Sequence, residues 1–414
     1  MHILLLTPAY PPFPGGGERY AQAIAQQLLA AGHQVTVVTS AAQREADLWQ
    51  GVSAKPTERS GQLTIIRCPI SPFPGGQTGL LAWRKGMVLL SQVSGGKTAV
   101  LFKMARYIPP IQQLAETLQQ CQQIDLIHAF NFSWEYTAVA GWRLAQQRQR
   151  PFVLTPFIHL GVAGGQDRVA RNNNMAHQRH LLQQADRVLV LTNLEAAGLI
   201  AWGANPAQTA VIGGGVDPLL QTEPTAPLPA AMPNQRYALF IGRASYDKGA
   251  IHAVQAIAAT APADSPLHLV LAGQKTDAFT HFYQKLTPTA QARIHHVGLV
   301  TEAEKQTLLA NCQLLLLPSR TDSFGIVLLE AWQHGRPVIG AKAGGIPGVI
   351  DAGENGLLVP FGDVAALQMA IEQLHAQPEL AQRLGENGRK KVQTVYNWHS
   401  VGQRLLAHYH DLLS

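Results

Sequence analysis

Two doubly wound α/β domains in tandem are the fold class this sequence predicts, and three observations predict it. Short apolar runs of strand length alternate with helix-period segments along the chain. The first such run leads through a glycine-rich loop into a helix, and after a Pro-, Ala- and Thr-rich interval near the middle the same alternation begins again. The 414 residues leave room for roughly two to three domains.

Taken in order, His2 to Leu6 reads as a buried strand and gives way to a Pro/Gly loop from Pro8 to Gly17. Tyr20, Ile24 and Leu28 then recur every four residues, the spacing of one helix face, until Gly32 stops the helix. Gln34 to Thr39 is a second, β-branched strand, which completes a parallel βαβ crossover. Ile124 to Phe130, Phe152 to Thr155 and Arg187 to Leu191 are further strands separated by helical stretches. The aperiodic stretch at 220–234 reads as a linker between a domain at 1–219 and one at 235–390. There the pattern restarts with a strand from Tyr237 to Ile241, a loop from Gly242 to Gly249, a helix from Ala250 to Ala259 and a strand from Leu267 to Leu271. Thr301 with Glu304 makes a capping box for a helix to Ala310, and Gln313 to Leu317 is apolar enough for a strand buried on both faces. Val338 to Ile339 and Leu357 to Val359 continue the alternation. In the final helix, expected within 391–414, Val401, Leu405, Leu406, Tyr409 and Leu413 share one face. Ligand is expected in a cleft between the two domains, at the carboxyl ends of the strands.

Composition narrows the function classes. Hydrophobic residues make up 46 % and charged residues 14 %, which excludes a disordered or collagen-like chain. Cys68, Cys121 and Cys312 are odd in number and widely spaced, so neither a disulfide framework nor structural zinc is expected, and a reducing compartment is. The run Ile3 to Leu6 is too short to span a bilayer and no basic leader with a cleavage site accompanies it. A cytoplasmic protein is expected, without a nucleic-acid partner. The net charge of +6 lies in residues 1–217, which carry 17 Lys and Arg against 11 Asp and Glu. Between Arg59 and Glu116 no acid occurs, while Arg67, Arg84, Lys85, Lys97, Lys103 and Arg106 alternate with apolar residues. Such a stretch fits peripheral contact of 67–106 with the anionic inner membrane surface, or a helical excursion with an ordinary solvated face.

Phosphate chemistry leaves the clearest trace. Gly15, Gly16 and Gly17 stand between a strand and a helix, where bare amides meet the positive helix end, although a turn needing positive φ would use the same residues. Neither a Walker loop nor G-x-G-x-x-G is present. Arg243 and Lys248 flank a loop at the carboxyl end of a strand and together suit a pair of phosphates; each alone is an ordinary surface cation. The run Pro318-Ser-Arg-Thr-Asp-Ser-Phe-Gly-Ile-Val-Leu-Leu-Glu330 places a polar loop after a buried strand. A helix is expected to begin near Phe324 with Ser323 as its cap, its amides around Phe324 and Gly325 turned to sugar hydroxyls or phosphate. Glu330, two turns into an apolar helix, needs donors: the paired hydroxyls of a ribose, or a salt bridge. For Asp322 the alternative is loop capping. His159 follows a first-half strand and is catalytic or structural. No D-x-D, HExxH or His/Cys ligand cluster occurs, so no metal is expected, and no G-x-S-x-G elbow argues for a hydrolase.

At these residues the sequence resembles a retaining glycosyltransferase of the GT-B fold, glycosyltransferase family 4. The matching stretches, in family order, are Pro14-Gly-Gly-Gly-Glu18, Gly32 to Thr39, Ala185-Asp-Arg-Val188, Gly215-Val-Asp217, Gly242 to Gly249, Pro318 to Glu330, and Gly335-Arg-Pro-Val338 with Gly344-Gly-Ile-Pro347. The resemblance implies two Rossmann-like domains facing a central cleft, with the C-terminal helix crossing back onto the first. It implies that Gly16 and Gly17 close on a donor diphosphate and that Arg243 and Lys248 clamp it. Asp322 and Glu330 match the ends of the family's E-x7-E motif, the first acid and the amides of Ser323, Phe324 and Gly325 holding the donor sugar and the second the ribose. His159 matches a histidine near the anomeric centre. The implied chemistry is metal-free transfer of a sugar from a nucleotide sugar, with no cofactor, a UDP-linked donor first and GDP-mannose second, to an acceptor hydroxyl in glycolipid, polysaccharide or other glycoconjugate synthesis. Three positions depart from the family pattern: Asp322 replaces Glu, Gly348 stands where an acid is common, and Gly214 stands where Asn usually precedes Gly-Val-Asp. The first departure keeps open a non-catalytic nucleotide-sugar binder; an epimerase on the same fold is the other alternative.

Overall fold

The computed structural model describes residues 1–93, 97–158, 168–218, 227–228, 235–260 and 266–414. Most of the expected linker at 220–234 and the whole of the segment holding His159 lie outside these described residues. The chain forms two compact units, one holding the described residues of 1–158, 168–213 and 398–414, the other those of 214–397.

In the first unit the strands β1 (His2–Leu6), β2 (Gln34–Ser40), β3 (Glu58–Ser60), β4 (Leu63–Cys68), β5 (Leu126–Phe130), β6 (Phe152–Thr155), β7 (Arg187–Val190) and β8 (Thr209–Val211) form one sheet. Its order is β3-β4-β2-β1-β5-β6-β7-β8. Every pairing is parallel except the edge strand β3, and β1, fully buried from Ile3 to Leu6, sets the register with Leu4 opposite Thr36 and Ile127. Helix α1 (Gly16–Ala30) buries Tyr20, Ile24 and Leu28, the expected stripe, and helices α2 (Gly76–Gln92) and α3 (Thr98–Ala105) follow β4. The closing helix, Trp398–Leu413, belongs to this unit and packs along α1. Val401, Leu405 and Tyr409 are fully buried, and the Tyr409 hydroxyl meets His128 Nδ1 at 2.6 Å.

The basic stretch does not lie on one surface. Arg67 is buried in β4, pairs with Glu58 at 2.6 Å and donates to the carbonyls of Tyr10 and Pro11. Arg84 turns inward to Glu135 at 2.6 Å, and His177 meets the same carboxylate at 3.1 Å. Both arginines therefore leave the expected membrane-facing set: a fully buried carboxylate such as Glu135 must be paired, and Arg84 is its partner.

The second unit is a six-stranded, all-parallel sheet of β9 (Tyr237–Ile241), β10 (His268–Ala272), β11 (Ile294–Gly298), β12 (Leu314–Leu317), β13 (Val338–Ala341) and β14 (Leu357–Val359), in the order β11-β10-β9-β12-β13-β14. The order reverses between β9 and β12, which is where an open α/β sheet offers a crevice at its carboxyl edge. Four buried leucines make β12, as a strand covered on both faces requires. Helices α4 (Ala250–Ala259), α5 (Glu302–Asn311) and α6 (Ile326–Gln333) position the site described next.

Candidate functional site

Two loops leaving the carboxyl ends of β9 and β12 carry most of the expected chemistry. The first, Gly242 to Gly249, is tied to the end of β10: Gly242 N–H donates to Ala272 O at 2.9 Å and Ala244 N–H to Gln274 O at 2.8 Å. Arg243 lies exposed on it. At its end Gly249 has φ +78°, and a Cβ there would lie 2.0 Å from the Pro318 carbonyl oxygen, so glycine alone lets this loop press against the second. The contact brings two expected site residues together: Lys248 Nζ donates to Asp322 Oδ1 at 2.8 Å. Beside that pair the charges run the other way, with Arg320 Nε and Nη2 donating to Asp247 Oδ1 at 2.9 and 2.7 Å. The Arg320 guanidinium also lies 5.6 Å from the ring centre of Tyr246 and 5.1 Å from that of Phe361. Each loop thus gives one acid and one base to a double clip. Partly exposed ion pairs stabilise by only ~0–1 kcal/mol, so the clip fixes geometry more than it adds stability.

The helix after this loop starts later than expected. α6 begins at Ile326 and its cap is Gly325, at a left-handed φ of +80°, rather than Ser323 with a start near Phe324. A cap sequence cannot extend a helix through a residue held in left-handed backbone, so Ser323 and Phe324 remain in the loop. Phe324 is buried edge-on to Tyr396 at 5.4 Å. A Cβ on Gly214 would stand 2.6 Å from the Phe324 ring, which accounts for glycine where the family pattern has asparagine.

Glu330, on α6, is held by a salt bridge: Lys305 Nζ on α5 donates to its Oε1 at 2.6 Å and lies 2.8 Å from Glu302 Oε1. Lys305 was not among the expected site residues. Its signal was present, since it shares the buried face of α5 with Leu308 and Leu309, where a cation is out of place without a carboxylate partner. Among the described residues, no three His, Cys, Asp or Glu side chains gather as a metal site requires.

In the first unit Gly16 and Gly17 are the first two residues of α1, and no side chain caps that helix. The Phe157 ring closes over Gly17, 3.3 Å from where a Cβ would project. Glu18, three residues after the Gly15 cap, folds its carboxylate back toward Gly15. Loss of water raises its pKa to about 7, against the opposing pull of its own backbone N–H. Glu195 is wholly buried, with the N–H of Leu191 donating to Oε2 at 2.8 Å and that of Ile158 to Oε1 at 3.1 Å. Burial raises its pKa to about 7 despite both bonds. Glu195 thereby fixes the end of the β6 segment at Ile158; His159, the next residue and an expected site residue, lies outside the described residues.

Comparison with known proteins places the chain among glycosyltransferases. Residues 229–391 match the family "Glycosyl transferases group 1" and residues 15–215 the "Glycosyl transferase 4-like domain". A glycogen synthase of Mycobacterium tuberculosis is 26 % identical over 412 residues, covering 97 % of this chain and 92 % of its own. A D-inositol 3-phosphate glycosyltransferase of Corynebacterium glutamicum is 24 % identical over 420 residues with the same coverage of both. Among solved structures, sucrose-phosphate synthase from Thermosynechococcus elongatus superposes with a TM-score of 0.76 at 23 % identity, covering 99 % of this chain and 98 % of that one. Anabaena Alr3699/HepE in complex with UDP-glucose does so with a TM-score of 0.67 at 18 % identity, covering 99 % of this chain and 100 % of that one.

Proposed function

The chain belongs to the family 4-type glycosyltransferases of the GT-B fold, and from that membership we propose that it transfers a sugar from a nucleoside-diphosphate donor to an acceptor hydroxyl, without a metal and with retained anomeric configuration. One observation carries this reading: Lys248 and Asp322, the cation assigned to the phosphates and the acid assigned to the sugar, meet at 2.8 Å where the strand order of the second sheet reverses. A nucleoside diphosphate leaves without a proton from the protein. Arg243 and Lys248 offset the charge growing on its β-phosphate, as fixed cations do in a preorganised site. The family resemblance assigns the amides of Gly16 and Gly17, at the positive end of α1, to the same diphosphate. Asp322, with the backbone of Ser323, Phe324 and Gly325, holds the donor sugar, Glu330 the ribose, and His159 orients the anomeric carbon. The acceptor oxygen attacks that carbon on the face the phosphate leaves. The bond from carbon to phosphate oxygen breaks, and the acceptor's proton passes to the departing oxygen. A UDP-linked sugar is the favoured donor and GDP-mannose the next, and the acceptor is carried on a lipid.

The reading is tested by a thermal-shift panel of nucleotides and nucleotide sugars with and without EDTA, followed by transfer assays. UDP or GDP sugars should raise the melting temperature equally in both conditions. Arg243→Ala should lower turnover at least about tenfold, the loss expected when a charge-stabilising group is removed. Donor binding without turnover on any acceptor would instead support a nucleotide-sugar-binding homologue, and donor converted to its isomer an epimerase.

A further inference from the structure

Once Arg67 and Arg84 are seen to face inward, the basic stretch shrinks to a coherent surface on α2 and α3. Leu81, Lys85 and Leu89 recur every four residues along α2, and Val93 extends the row past its end. Val100 and Lys103, three residues apart, share a face of α3, with Arg106 and Tyr107 just beyond it. The two helices are joined where Trp83 Nε1–H donates to Met104 O at 3.2 Å and its ring meets that of Tyr107 at 5.6 Å. Leu81, Leu89, Val93, Val100 and Tyr107 are 45–65 % exposed, and they make up five of the thirteen large apolar side chains exposed among the described residues. Lys85, Lys103 and Arg106 are exposed beside them, Lys97 is half-exposed, and no acid occurs between Arg59 and Glu116.

We propose that this α2–α3 face docks the protein on an anionic lipid bilayer, the apolar rows entering the headgroup region and the bases pairing with lipid phosphates. Charge decides the occupant. Scattered exposed leucines need no explanation, but apolar rows edged only by cations match a negatively charged interface that also accepts hydrocarbon. A soluble protein partner or a second copy of this chain would meet no carboxylate on either of these two helices to answer its own cations. The inference extends the glycosyltransferase reading by giving the lipid-carried acceptor a surface, and its test does not depend on that reading.

Full-length protein is sedimented with phosphatidylcholine vesicles, with and without phosphatidylglycerol, at low and high salt. Binding should need the anionic lipid and be lost at high salt. The triple change Lys85→Ser, Lys103→Ser, Arg106→Ser should weaken it on the order of 100-fold, at roughly fivefold per base. Leu89→Ser with Val93→Ser should weaken binding while leaving its salt dependence in place. Melting temperature and donor hydrolysis should match wild type in both variants, which separates failure of the docking surface from failure of the fold or of the proposed reaction. Equal binding to both vesicle types, no binding to either, or a solution dimer that these variants dissociate would overturn the proposal.

Discussion

At the scale of single residues, the pairing of Lys305 with Glu330 is the most testable feature. Both side chains are about nine-tenths covered, at 10 and 13 % exposure, so removing one leaves the other's charge poorly solvated. Lys305→Met should therefore cost about 3 kcal/mol of stability, the low end for breaking a buried pair. The double change Lys305→Met with Glu330→Gln should recover much of that loss, because no lone charge remains. If Glu330 serves the ribose, the double variant keeps a raised KM for the nucleotide sugar although its melting temperature recovers. Glu195 makes a second prediction, through pH. Its folded pKa of about 7 lies above that of an unfolded glutamate, so the folded protein holds the proton more tightly. Stability from this group is present below about 4.5 and declines as pH rises through 7, by up to about 3 kcal/mol. Glu195→Gln should flatten that decline, read as melting temperature against pH between the two values.

At the scale of elements, the two loops of the second unit stand or fall together. Gly249→Ala would force the first loop off the Pro318 carbonyl, costing about 1–3 kcal/mol for the strained backbone and opening the Lys248–Asp322 contact. Arg320→Ala should change the melting temperature little, since its ion pair is partly exposed. It should nevertheless raise the KM for donor by releasing Asp247 from the clip, with kcat closer to wild type. The buried elements were legible in the sequence because hydrophobic runs such as Leu314 to Leu317 have only one use in a parallel sheet. Strands that carry charge were not: β4, one in from the edge of its sheet, carries Arg67, and the edge strand β11 carries His295 and His296, so neither shows an apolar run. The start of α6 was misread for a related reason. Ser323 is a good cap by composition, but Gly325 stands in left-handed backbone where Leu317 and Leu328 leave no room for a Cβ, a tertiary constraint that local sequence does not reveal. Thr192 and Glu195 form a recognisable T-x-x-E start, yet the glutamate reaches Leu191 and Ile158, a tertiary connection no spacing rule supplies.

At the scale of the whole molecule, the closing helix makes the first unit discontinuous in sequence. Burying Val401, Leu405 and Tyr409 stabilises by roughly 5–8 kcal/mol, about the net stability of a typical domain, so residues 1–213 without the helix should not fold cooperatively. Joining 398–414 to 1–213 through a flexible linker should restore a cooperative melt, measured by circular dichroism. The polypeptide enters and leaves the second unit at neighbouring points: Val216 N–H donates to Tyr396 O at 3.0 Å, and Val216 pairs in parallel with Asn397. A body whose two ends lie one bond apart is a cassette. It can be lifted out of its host and replaced by the corresponding piece of a relative without stretching either junction. Under the proposed function, exchanging this one continuous stretch for that of a relative should change donor preference, read by transfer assays with a panel of nucleotide sugars.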